Sequence, residues 1–208
     1  MKYPKVIFIG GAPMIGKTTT AYVIASRLQY GCISSDDIGS GVSAVTNPIS
    51  HPAFHYMSEY DYREYYIERK KDDLIQDINN QHETLWPALL NVFQNHSTWG
   101  TSTVIEGWAL RPDYITQLSG DIDGLFLVAD DALIEKRVRS SDFSEGASDK
   151  DAMIRKYIER SLWYNSYIRT QVAHLSLKQI SISVEMQPEE IADKCMEKIS
   201  IIEKAIIG

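Results

Sequence analysis

The tightest constraint on how this chain can fold is a run of four consecutive apolar residues, Val6-Ile7-Phe8-Ile9, which ends directly in Gly10 and Gly11. A strand with one wet face alternates apolar and polar residues. A strand apolar on both faces must be covered on both, as in a parallel sheet between two layers of helices. The first strand therefore reads as 5–10, at the centre of such a sheet. A helix reads from Lys17 to Tyr30, with Ala21, Ile24, Ala25 and Leu28 at three- and four-residue spacing.

The same alternation continues along the chain. "YGCISS" (30–35), "STVIEGW" (102–108), "GLFLVAD" (124–130) and "KQISISV" (178–184) read as four more strands. Helical periodicity runs from Phe54 to about His82, and a further helix is expected to start near Pro87, since proline suits a first helical turn. Helices are also expected over 131–141, about 150–174, and from Pro188. Residues 38–53 are rich in Gly, Ser and Pro and read as a loop. The fold class is thus α/β: a three-layer domain with a mainly parallel five-stranded sheet and a helical insertion, about 38–100, after the second strand. One domain is expected over 1–208, with a polar lid at about 137–155.

Right-handed crossovers collect the strand ends along one edge of such a sheet, and with them Gly11–Thr18, Asp36, Glu106 and Asp130. The stretch from Gly11 to Thr18, Gly-Ala-Pro-Met-Ile-Gly-Lys-Thr, fits GxxxxGK[ST] in full. Glycines let the backbone curl so that successive N–H groups face an anion, and the following helix adds its positive dipole end. Gly11, Ala12, Pro13, Met14, Ile15, Gly16, Lys17, Thr18 and Thr19 are the expected phosphate-binding set. In it Lys17 reaches the β- and γ-phosphates and Thr18 ligates Mg²⁺.

The chain carries 21 Lys and Arg against 28 Asp and Glu, a net charge of −7. That balance disfavours nucleic acid and anionic membranes as partners. No apolar run approaches the ~20 residues of a membrane span, and no signal-peptide core is visible, so a cytoplasmic protein is expected. Cys32 and Cys195 match no metal or redox spacing and read as two reduced, buried thiols. The five histidines show no HxH or HExxH pairing, which leaves no protein metal site expected beyond Mg²⁺.

"GAPMIGKTT" resembles the loops of P-loop small-molecule kinases such as 2-phosphoglycerate kinase, chloramphenicol phosphotransferase and zeta-toxin-like kinases. Many of those loops read GxPGxGK; here Met14 stands where a second glycine is common, so its side chain is expected to point away from the nucleotide. "SSDDI" (34–38) is similar to the "STDxI" of 2-phosphoglycerate kinase-like proteins. That resemblance implies a P-loop NTPase fold with ATP and Mg²⁺, and phosphoryl transfer to a hydroxyl of a small molecule, by a monomer or homodimer.

It assigns the base to Asp36, with Asp37 second, on the premise that the second strand flanks the first. Glu106 supports Mg²⁺ or contacts the acceptor, and Arg111 is a candidate for holding an anionic acceptor. Arg137 and Arg139 close over the phosphates, with Arg155 and Arg160 as weaker candidates. Arg63, His55 and Tyr62 belong to the insertion that often shapes the acceptor pocket. The tyrosine cluster at 56–66 reads as half core and half surface. The competing reading is a nucleotide-binding regulatory module or switch. "DIDG" (121–124) spells DxxG but precedes a strand, and no NKxD sequence follows.

Overall fold

The computed structural model of the chain describes residues 3–57 and 60–199. Five strands form one sheet: β1 (Val6–Gly11), β2 (Gly31–Ser34), β3 (Thr103–Gly107), β4 (Ile122–Ala129) and β5 (Gln179–Ile182). Their order is β2-β3-β1-β4-β5, and each neighbouring pair is parallel. β1 is central and all six of its residues are buried, as its apolar run requires. The register sets Glu106 opposite Ile9 on one side and Ser34 on the other. A single carboxylate thus stands between the ends of β1 and β2. The second strand pairs with β3 and not with β1, so Asp36 lies one strand further from the phosphate loop than the flanking arrangement would put it.

Helix α1 (Lys17–Leu28) follows the loop and packs against the last helix, α9 (Pro188–Lys198). Between β2 and β3 the chain makes the expected helical insertion, with different internal boundaries. α2 (Ser35–Ala44) occupies much of the stretch read as a loop. Ser34 explains this: its side chain accepts from the Asp36 N–H at 3.2 Å and caps the helix, which then carries Asp36 and Asp37 in its first turn. Glycine at 39 and 41 does not stop a helix begun in this way.

Next come α3 (Pro52–His55), α4 (Tyr62–Glu68) and α5 (Lys71–Thr98), where one continuous pattern and then a fresh start near Pro87 were expected. Pro87 sits inside α5 instead. Leu85, Trp86, Leu89 and Phe93 are all buried around it, and their burial outweighs the one backbone hydrogen bond that proline removes.

Helices α6 (Pro112–Ile115), α7 (Asp131–Arg139) and α8 (Lys150–His174) complete the described chain. α5 packs on β1 and α8 on β4, and the two helices pack on one another. A second, smaller core of Tyr65, Tyr66, Leu74 and Met153 fastens the insertion to α8. Polar contacts extend that seam. The Tyr62 hydroxyl donates to the Phe143 carbonyl at 2.7 Å, Arg63 Nη1 to the Glu145 carbonyl at 2.9 Å, and Ser148 Oγ to Glu64 at 2.7 Å. The segment expected to form a lid is therefore tied to the insertion. Among the described residues no helix is long and apolar enough to cross a membrane.

Gly124 shows how closely β1 and β4 approach: a Cβ there would lie 2.2 Å from the Phe8 carbonyl oxygen and 2.6 Å from its ring. Gly124→Ala is expected to lose about 1–3 kcal/mol, read as a lower urea midpoint with an unchanged m-value.

Candidate functional site

The loop 12–16 leaves the buried end of β1 and turns straight into α1. Gly16 caps that helix in a left-handed conformation at φ +94°, and Met14 also has a positive φ of +63°. A second glycine would adopt that geometry freely, whereas methionine carries a strain of about 1–2 kcal/mol. Part of the offset is visible: the Met14 side chain packs half-buried against the core, and its carbonyl accepts from Arg137 Nη1 at 3.0 Å. Among the described residues, no hydrogen bond uses the N–H groups from Met14 to Thr19. Together they make a row of unpaired donors at a helix start, the cradle in which an anion is stable.

Lys17 is buried, and its Nζ donates to the Ala12 carbonyl at 2.8 Å. Burial pulls its ammonium below the ordinary lysine value, while the carboxylates of Glu106 and Asp36 pull it back up. The Thr18 hydroxyl donates to Glu106 Oε1 at 3.1 Å, so β3 delivers its carboxylate to the head of α1.

One cavity borders the loop and another lies beyond Asp36. The first, about 430 Å³, is lined by Met14, Gly16, Lys17, Thr18, Thr19 and Arg137. The second, about 540 Å³, lies under the insertion, and its walls include Asp36, Tyr56, Tyr66, His82, Trp108 and Arg160. Gly39 also lines it; the bare face of α2 there leaves room that a side chain would fill.

The expected site residues divide between these places. The loop residues Met14 and Gly16–Thr19, with Arg137, border the first cavity and Asp36 the second, with Lys17 close enough to feel Asp36 electrostatically. Trp108 Nε1 donates to Asp36 Oδ1 at 2.9 Å and orients that carboxylate. Asp37 and Arg139 are exposed, as is Asp130 at the head of α7. Arg111 is buried behind the second cavity, donating to His82 Nδ1 at 3.1 Å and to Asn79 Oδ1 at 2.6 Å. Arg63 does not line either cavity: Asp61 and the Glu145 carbonyl engage its guanidinium.

Of three residues at the second cavity, Trp108 and His82 were not singled out by pattern, and Arg160 was named only as a weaker candidate for closing over the phosphates. Trp108 follows Glu106 by two in a strand that could have ended anywhere. His82 has no partner histidine in the sequence, and Arg160 looks like any basic residue on a long helix. A signal existed only for Arg160, as a charged residue on the buried stripe of α8.

No protein-family model matches the sequence, and no curated protein matches it. Solved structures do. The shikimate kinase of Acinetobacter baumannii in complex with shikimate aligns with a TM-score of 0.55 at 12% identity, covering 92% of this chain and 90% of that one. A sugar kinase from Janibacter sp. HTCC2649 aligns at 0.53 with 15% identity, over 93% and 92%. A gluconokinase from Sinorhizobium meliloti 1021 aligns at 0.52 with 16% identity, over 93% and 90%. The chain has the fold of these P-loop small-molecule kinases. The narrower likeness to 2-phosphoglycerate kinase and its relatives rests on the loop and the "SSDDI" stretch alone.

Cys32 lies beside this edge, and burial followed by the charge of Glu106 pushes its thiol up to about 11; burial alone pushes Cys195 up to about 12. Both thiols are protonated at pH 8, so iodoacetamide labelling of the folded protein is expected to be slow there. The Cys32 rate should climb between pH 9 and 11, while in urea both cysteines should label at the rate of free thiols.

Proposed function

We propose that the chain is an ATP-dependent phosphotransferase, a single catalytic domain that moves the γ-phosphoryl of ATP to a hydroxyl of a small molecule. One observation carries this reading: a buried lysine at the head of α1 lines the N–H-rich groove and lies within electrostatic reach of Asp36, the carboxylate on the wall of a second cavity. A switch protein has no use for the second cavity. The fold shared with shikimate, sugar and gluconate kinases supports the same reading, as does the complete GxxxxGK[ST] sequence.

In this mechanism the loop from Gly11 to Thr19 binds the phosphates of ATP, and Lys17 leaves the Ala12 carbonyl to meet the β- and γ-oxygens. Asp36, oriented by the Trp108 indole, takes the proton of the acceptor hydroxyl as its oxygen attacks the γ-phosphorus. The β–γ bond breaks, ADP departs, and the phosphorylated product leaves the second cavity. Arg137, already against the loop, neutralises charge on the transferred group, and Arg139 approaches when the 140–149 segment closes. Asp37 and Arg111 serve the acceptor side indirectly, Arg111 by holding His82. Arg63 ties the insertion to the closing segment in this scheme and does not touch the acceptor.

The Thr18 hydroxyl and the Glu106 carboxylate are hard oxygen donors of the type Mg²⁺ takes together with phosphate oxygens and water. When bound, Mg²⁺ would neutralise charge on the β- and γ-oxygens.

The test is ADP release from ATP·Mg with and without pooled sugars, polyols and hydroxy acids. Acceptor-dependent release is expected, and Asp36→Asn should lower it by about 10²–10⁴-fold while a fluorescent ATP analogue still binds. Full activity in Asp36→Asn would remove the base assignment. Glu106→Gln should raise the Mg²⁺ concentration needed for half-maximal rate, with little change in nucleotide binding measured in EDTA.

A further inference from the structure

The second cavity contains a charge that the protein does not balance. Arg160 is 4% exposed, and no carboxylate among the described residues pairs with it. Its guanidinium sits over three rings instead, 4.9 Å from Tyr66, 4.9 Å from Trp108 and 5.2 Å from Tyr157. Those rings are neutral near pH 7: burial pushes the Tyr157 hydroxyl up to about 12 and raises that of Tyr66. Cation–π contacts offset only part of the cost of burying a charge. The Nε–H of Arg160 is buried without an acceptor.

A second donor at the cavity is in the same state. Arg111 Nε can only donate, so His82 Nδ1 must accept from it, and the proton of the neutral ring sits on Nε2. Burial, then the positive charges of Arg111, Arg160 and Lys17, hold this imidazole well below its usual pKa. Nε2–H is buried and unpartnered, and so is Ser35 Oγ on the same cavity. The Tyr66 and Tyr157 hydroxyls hydrogen-bond to the rest of the guanidinium. That leaves one guanidinium Nε–H, one imidazole N–H and one hydroxyl without partners, each on a side chain nine-tenths buried or more that lines the same cavity. The rest of the wall supplies one fixed negative charge, Asp36, and its Oδ1 is already engaged by Trp108.

We propose that this cavity selects an acceptor carrying an anionic group, a carboxylate or a phosphate ester, which Arg160 and the His82 Nε2–H receive while the hydroxyl to be phosphorylated faces Asp36. The inference rests on the kinase reading above for its second half. The Trp108 indole sets the size of the molecule: its N–H touches Asp36 and its ring carries Arg160, so hydroxyl and anion must be only a few bonds apart. A carboxylate or phosphate completes the unpaired donors with charge-assisted hydrogen bonds, and a neutral polyol cannot.

The test has two arms. In the first, ADP release from the wild-type protein is measured with matched pairs: glycerate against glycerol, gluconate against sorbitol, and glycerol 3-phosphate against glycerol. A preference of at least tenfold in kcat/KM for the anionic members is expected, and comparing the carboxylates with the phosphate ester shows which anion fits. Equal or better use of the neutral members would overturn the anionic site and leave the kinase standing.

In the second arm, binding of inorganic phosphate and of glycerate is followed by calorimetry in wild type, Arg160→Met, Arg160→Lys and Lys17→Met. Affinity should fall about ten- to a hundredfold in Arg160→Met, recover in part in Arg160→Lys, and persist in Lys17→Met for glycerate. Near-ultraviolet circular dichroism reports whether the ring cluster keeps its packing in each variant. Binding that depends on Arg160, with no acceptor-stimulated turnover, would keep the anion site and remove the kinase reading. A lowered melting temperature in Arg160→Met with unchanged anion affinity would reduce Arg160 to a packing residue and overturn the proposal.

Discussion

The position of Glu106 between the ends of β1 and β2 is the constraint on which the rest of the site depends. β1 is buried on both faces and must lie in the middle of the sheet. β3 inserts beside it, and the register then gives its last carboxylate no choice of neighbours: Ile9 to one side, Ser34 to the other. From there Glu106 reaches the Thr18 hydroxyl at the head of α1 and bears electrostatically on Lys17 and Cys32. Moving β3 to the sheet edge would separate all of these groups without changing a residue.

The same strand continues into the second cavity. Two residues beyond Glu106, Trp108 gives its N–H to Asp36 and its ring to Arg160, and its carbonyl accepts from the Tyr164 hydroxyl. One indole thus connects α2, β3 and α8. The contacts from α4 to the 143–148 segment add a fourth element, because Tyr62, Arg63 and Glu64 all bond across that seam. Motion of the 140–149 segment over a nucleotide would carry the insertion with it. Binding on the two sides of Lys17 would then be coupled through a shared moving part.

Much of the architecture was legible from local pattern. Four apolar residues in a row announced β1, and the other strands followed within a few residues of their true limits. The glycines and lysine at 10–17 announced the loop. Reading failed where one local rule was overruled by another. Ser34 began a helix through glycines at 39 and 41 that normally argue for a loop. Pro87, a sound candidate for a helix start, lies in mid-helix because the apolar face around it is worth more than one hydrogen bond. The flanking of β1 by β2 was a plausible premise that no local signal could test, since strand order is set by which crossovers pack.

The sequence by itself determined the class of fold, the phosphate-type loop and the identity of Lys17, Thr18, Asp36 and Glu106 as chemical candidates. These follow from composition within short windows, where propensity and spacing act. Only the tertiary structure decided that Asp36 answers to Trp108, that Arg111 faces inward to His82, that Arg63 belongs to a seam, and that Arg160 is buried without a counter-charge. Each of these is a relation between residues tens of positions apart. Whether a charge is solvated or stranded depends on what the folded chain brings round it, which no window of sequence contains.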